Sequence, residues 1–118
     1  MVLVDTSVWI NYFRQGNPDL ERLLNAYEVT IHDFIIGELA CGNFKNRSQI
    51  FQFLQLLPKI DQASHSEVLH YIESNQLMGR GLSYVDIHLA VSAKISGINI
   101  WTADKRFDEI NRNLGISY

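Results

Sequence analysis

Four carboxylates, Asp5, Glu38, Asp86 and Asp104, lie far apart in this sequence, yet each falls at the end of an apolar element or on an otherwise apolar face. An acid in such a place has to be neutralised by a proton, a cationic side chain or a metal ion. Several acids brought together from distant segments point to a shared divalent cation. With no Cys/His cluster beside them, their hard oxygen donors suit Mg2+ or Mn2+ better than zinc. The chemistry open to such a site is activation of a water held by the ion.

Each acid also has a plainer reading. Asp5 follows Val2-Leu3-Val4, where Asp5, Thr6 or Ser7 can cap the next helix. A cap needs only one of the three, so Asp-Thr-Ser leaves polar groups over. Glu38 falls between Phe34 and Ile35 on a helical wheel and near Cys41, the side that should face the interior. A buried ion pair would serve it equally, but the nearest cations, Lys45 and Arg47, lie beyond the break at Gly42. Ser83-x-x-Asp86 matches a capping box, while Asp86 shares a face with Leu89, Ala90 and Ala93. Asp104 stands just past an apolar strand and can cap the helix that starts at Lys105. Asp108, one turn later, is either a fifth acid or a solvated surface residue.

The elements that must position these acids alternate between short apolar strands and helices. Strands are expected at Val2 to Val4, Val29 to Ile31, around Ile60 and from Ile98 to Trp101, with Ile116-Ser117-Tyr118 closing the chain. Helices are expected from about Val8 to Phe13, from Asp19 after the Gly16-Asn17-Pro18 break, and from Asp33 to about Cys41. Further helices run from Asn46 to Leu57, from Ser64 or Ser66 to near Gly79, from Ser83 to about Ser96 and from Lys105 to Asn113. That order predicts an α/β domain with a central, mostly parallel sheet of four to five short strands covered on both faces. Such sheets bind ligands beyond the carboxyl ends of their strands, where Asp5 and Asp104 would stand.

Composition sets the outer bounds. The 118 residues, 47% hydrophobic and 19% charged, suffice for one domain spanning 1–118. The formal net charge of −3 gives no overall attraction to nucleic acid, so a polyanionic substrate needs a basic patch or a bound cation near the site. The lone Cys41, inside Phe34-Ile35-Ile36-Gly37-Glu38-Leu39-Ala40-Cys41, suits a reducing compartment and a core-filling role. The opening MVLVDTSVWI lacks a basic segment ahead of its apolar residues, so it reads as neither signal peptide nor membrane span, and a cytoplasmic location is expected. The histidines, His32, His65, His70 and His88, show no triad or ligand spacing; His32 is notable only for following the second strand.

Four short motifs stand in order along the chain: Leu3-Val4-Asp5-Thr6-Ser7-Val8-Trp9, Gly37-Glu38-Leu39, Gly81-Leu82-Ser83-x-x-Asp86 and Trp101-Thr102-x-Asp104-Lys105-x-Phe107. Together they resemble the PIN-domain ribonucleases, and more narrowly the VapC-type toxins of toxin–antitoxin pairs. The resemblance covers essentially the whole chain. It implies a three-layer α/β/α fold and Mg2+- or Mn2+-dependent endonucleolytic cleavage of RNA. It also implies a homodimer and inhibition by a cognate antitoxin. The family's acidic set falls on Asp5, Glu38, Asp86 and Asp104, and its hydroxyl positions on Thr6 or Ser7 and on Thr102. Arg80, Lys105, Arg106 and Arg14 are candidates for holding the flanking RNA backbone, or equally for solubilising the surface. Two other classes compete. A receiver-like signalling domain with Asp61 as phosphoacceptor would need five regular strand–helix alternations and a lysine ending the last strand, which this order lacks. A catalytically idle interaction module remains, and metal-dependent RNA hydrolysis separates it from an enzyme.

Overall fold

The computed structural model describes residues 1–118. Val2, Leu3 and Val4 form β1, and all three are buried. Successive side chains of a strand point to opposite faces, so burial of all three means that both faces are covered. Strand β1 is the centre of a three-stranded parallel sheet of order β2-β1-β3, with β2 at Val29–Thr30 and β3 at Asn99–Trp101. The register sets Val2 beside Val29 and Asn99, and Val4 beside Trp101.

The sheet therefore has three strands rather than the four to five expected. The missing two survive as single parallel bridges, Ile31 with Lys59 and Ile100 with Ser117. At Ile60 the chain runs on into exposed Asp61 and Gln62, and near Ile116 only Ser117 forms a bridge, so neither segment builds a ladder. Backbone bonds such as Ile60 N–H to Ile31 O (2.9 Å) and Tyr118 N–H to Ile100 O (2.9 Å) still close the sheet edges.

Helices follow the sequence signals closely. Thr6–Gln15 forms α1 and ends at Gly16, whose φ of 79° suits glycine. Pro18–Asn25 forms α2, one residue earlier than expected, because the Asn17 side chain accepts the N–H groups of Asp19 and Leu20 and Pro18 needs no donor at the first helical position. Asp33–Ala40 is α3, and Arg47–Leu56 is α4. The next helix, α5 at His65–Ser74, is capped by Ser64 in a capping box with Glu67. It stops well short of Gly79: Asn75 caps it and Gln76 takes a φ of 52°, which turns Leu77 into the core. Tyr84–Ser96 forms α6, closed by left-handed Gly97, and Lys105–Asn113 forms α7. No helix is long and apolar enough to cross a membrane.

Cys41 is exposed at the end of α3, against the expected core-filling role. Helix α3 buries Ile35 and Leu39, four residues apart, and Cys41 lies two residues past that ridge, at the helix cap. The same ridge corrects Glu38, which is exposed rather than turned inward. Its neighbours Ile35 and Leu39 take the core, leaving Glu38 at the border of the apolar stripe, facing the start of α1.

Candidate active site

The loops after β1 and β3 lie side by side, because these strands pair in parallel and the Asp5 N–H donates to Trp101 O at 2.9 Å. Asp5 is buried at this carboxyl edge of the sheet, 7% exposed. Its Oδ2 accepts the hydroxyl of Thr102 at 2.7 Å and that of Ser7 at 3.2 Å. Ser7 Oγ in turn accepts the Ala103 N–H at 3.0 Å, and Thr102 Oγ1 accepts the Asp104 N–H at 3.1 Å. Asp5 makes no side-chain bond capping α1, so the surplus polarity of Asp-Thr-Ser goes into a hydroxyl relay between the two loops.

The other acids approach this relay in different ways. Glu38 Oε1 accepts the Thr6 hydroxyl at 2.7 Å, which brings α3 to the residue next to Asp5. Asp86 lies close enough for its charge to act on Asp5, while its Oδ2 accepts the Ser83 N–H at 3.3 Å in the anticipated capping box. Asp104 Oδ1 caps α7 by accepting the N–H groups of Arg106 (3.0 Å) and Phe107 (3.2 Å). Asp108 stands apart: its oxygens are taken by Arg112 at 2.9 Å and Ser117 Oγ at 2.6 Å, which ties α7 to the chain end.

Electrostatics single out Asp5. Burial pushes its carboxyl above the usual carboxylate value, and the Asp86 charge adds to the rise, against the Thr102, Thr6 and Ser7 hydrogen bonds that favour the anion. The ion pairs of the chain join Glu28, Asp19, Asp33 and Asp108 to cations, so none of the four candidate acids has a basic partner. No three His, Cys, Asp or Glu side chains close into a ready-made cage. A small hard cation that keeps several waters needs only one or two carboxylates, and this oxygen-only, uncompensated donor set fits one.

Residues 2–113 match the PIN domain family model. The chain belongs to the PIN-domain family. Within the family it is 38% identical over 118 residues to Ribonuclease VapC32 of two Mycobacterium tuberculosis strains, covering 99% of this chain and 95% of that one. Two solved structures share the fold at low identity. FitAcB from Neisseria gonorrhoeae has a TM-score of 0.68 at 18% identity, covering 99% of this chain and 95% of its own. PAE2754 from Pyrobaculum aerophilum has a TM-score of 0.62 at 16% identity, covering 97% and 94%. The family kinship is thus VapC-type, as the four motifs implied.

One buried arrangement escaped the sequence reading. His32 and His88 are both buried, with His32 Nε2 3.0 Å from His88 Nδ1. His32 Nδ1 accepts the Phe34 N–H at 2.9 Å, so the neutral ring carries its proton on Nε2 and donates it to His88. The only signal was that both histidines interrupt apolar runs. Burial, followed by repulsion from His88, holds His32 down to about 4. A depressed histidine pKa means that the unfolded chain takes up the proton first. Stability is therefore full above about pH 6.5, falls as pH drops toward 4, and levels off below. Urea midpoints at pH 7 and 4.5 should reveal a loss of roughly 2–3 kcal/mol, largely removed in His32→Asn, which keeps a capping oxygen.

Proposed function

We propose that this chain is an endoribonuclease, the toxin of a type II toxin–antitoxin pair. It works in the cytoplasm with Mg2+ or Mn2+ held by Asp5 and Asp86, and Glu38 and Asp104 complete the site. The observation that carries the reading is a buried aspartate with a raised pKa, a second acid beside it and no basic side chain to neutralise either. The full-length kinship to a protein named a ribonuclease supports RNA as the substrate, and its VapC name supports an antitoxin partner; the homodimer rests on the motif resemblance alone.

A divalent cation bound there supplies charge for the phosphate under attack and a water of lowered pKa. The chain's own residues hold the site in register. Ser7 and Thr102 orient the Asp5 carboxylate by hydrogen bonds to Oδ2, and the Thr102 hydroxyl links the loop of Asp5 to that of Asp104. Thr6 does the same for Glu38. Hydrolysis adds water across the P–O3′ bond, leaving a 3′-hydroxyl and a 5′-phosphate.

The test is metal removal. The purified chain should cleave a mixed RNA pool with Mn2+ or Mg2+ present, lose at least about a hundredfold in rate under EDTA, and recover when Mn2+ is restored. Absence of cleavage with either metal, in a folded sample, overturns the reading and leaves an interaction module.

A further inference from the structure

Beside the acid site, reached through Ser7, lies a recessed surface with a character opposite to its own. Ser7, Asn11 and Arg14 lie four and three residues apart, so they share one face of α1, and Arg14 stands about 10 Å along the helix from Ser7. They line a hollow of about 340 Å³. Arg14 and Ile10 also line a second hollow of about 470 Å³, which continues to the Asn43–Asn46 loop. The two hollows share Ile10 and Arg14 and so adjoin along α1, giving a lane that runs from Ser7, whose hydroxyl bonds Asp5 Oδ2, to Lys45.

Neither hollow is lined by any Asp or Glu, although the chain as a whole carries a net charge of −3. Arg14 and Lys45, both exposed, take part in none of the ion pairs of the chain. Between them the floor is aromatic: Phe44 meets Phe13 edge to face at 5.6 Å, and both rings are half-buried. The loop that carries Phe44 and Lys45 is pinned, since the Arg47 guanidinium donates to Gly42 O at 2.7 Å and Ala40 O at 2.6 Å. Cations spaced along a groove with aromatic rings in its floor are what single-stranded nucleic acid needs. Solubilising charge alone would call for no recessed floor.

We propose that this lane, from Ser7 along α1 to Lys45, holds the single-stranded RNA that flanks the phosphate under attack. Arg14 and Lys45 grip its phosphates and the Phe13–Phe44 floor takes a base. The proposal rests on the ribonuclease reading and adds where, and in what form, the substrate lies.

The test measures binding apart from cleavage. A fluorescein-labelled single-stranded oligoribonucleotide of mixed sequence is titrated onto the Asp5→Asn chain, with and without Arg14→Ala and Lys45→Ala. The double substitution should weaken binding at low salt by about tenfold or more. It should also flatten the slope of log affinity against log salt by about 1.4, two single-strand phosphate contacts. Phe44→Leu should weaken binding about fivefold with the slope unchanged. In the otherwise wild-type chain the double substitution should raise KM and spare kcat. Unchanged affinity and slope in the double variant, or equal binding of a double-stranded oligoribonucleotide, overturns the lane while the ribonuclease reading stands. So does release of a co-purified antitoxin with RNA binding intact, which would give the lane to the protein partner. A wild type that cuts no RNA, together with an oligonucleotide that does not bind, overturns both.

Discussion

Asp5→Asn is expected to lower metal-stimulated RNA cleavage by about a hundredfold or more while raising the melting temperature of the metal-free protein. The first half follows from position. Loss of an outer-shell group that merely orients a ligand commonly costs about 10–100-fold in metal affinity or activity, and the ligand itself should cost at least that. Asn keeps the shape and an oxygen for the Thr102 hydroxyl, so the hydroxyl relay persists and only the charge is lost. The second half follows from the sign of the pKa shift. A carboxyl whose pKa is raised by folding costs the native state stability as pH rises from its unfolded pKa through the raised one, and the full penalty stays above it, where the native chain carries a charge it resists more than the unfolded chain does. Removing the charge relieves the desolvation of Asp5 and the repulsion with Asp86 together. A gain of about 1 kcal/mol would appear as a rise of a few degrees. Differential scanning fluorimetry in EDTA, and again with Mn2+, checks the pair of effects: metal should stabilise the wild type and leave the variant unmoved. Full activity in Asp5→Asn, or a variant less stable without metal, sinks the assignment of Asp5.

The geometry of the candidate site was legible in the sequence at some positions and hidden at others. Asp5 could be read because a strand buried on both faces leaves few uses for Asp-Thr-Ser, and the capping box at Ser83 and Asp86 is a local pattern with local hydrogen bonds. Glu38 was singled out for a reason the structure corrects. Helical spacing put it beside the apolar ridge, but only the packing of α3 on α1 decided that it would emerge at the border and meet Thr6. Spacing alone cannot tell the edge of a stripe from its centre. Thr102 was named only through the family resemblance, and its bond to Asp5, like the His32–His88 pair, joins residues 97 and 56 apart, distances no local pattern encodes. The two lost strands failed for a similar reason. Ile60 and Ile116 have the burial of a strand, yet single bridges suffice where the neighbouring chain turns away.

Trp9→Ala is expected to be the most destabilising single change near the site, lowering the melting temperature by roughly 10–20 °C. Trp9 is fully buried, and its ring stacks on Phe13 at 5.6 Å and meets Tyr12 and Phe53 edge-on at about 6 Å. It clamps α1 to α4 a few residues from Thr6 and Ser7. Truncation of a buried tryptophan typically costs about 3–5 kcal/mol, a large part of the ~5–15 kcal/mol that holds a domain folded. Trp9→Phe should cost much less. It leaves a smaller cavity, and it removes an indole N–H that is buried without a hydrogen-bond partner. The difference between the two variants in urea unfolding therefore separates packing from polarity: a Phe variant as unstable as the Ala variant would mean that indole shape, not aromatic volume, sets this junction. Activity should follow stability in this pair, since Trp9 meets the acids only through its backbone N–H to Asp5 O, which both variants keep, and its indole N–H bonds none of them. Assayed well below its melting temperature, Trp9→Phe should keep most of its cleavage, in contrast to Asp5→Asn, which should gain stability and lose it.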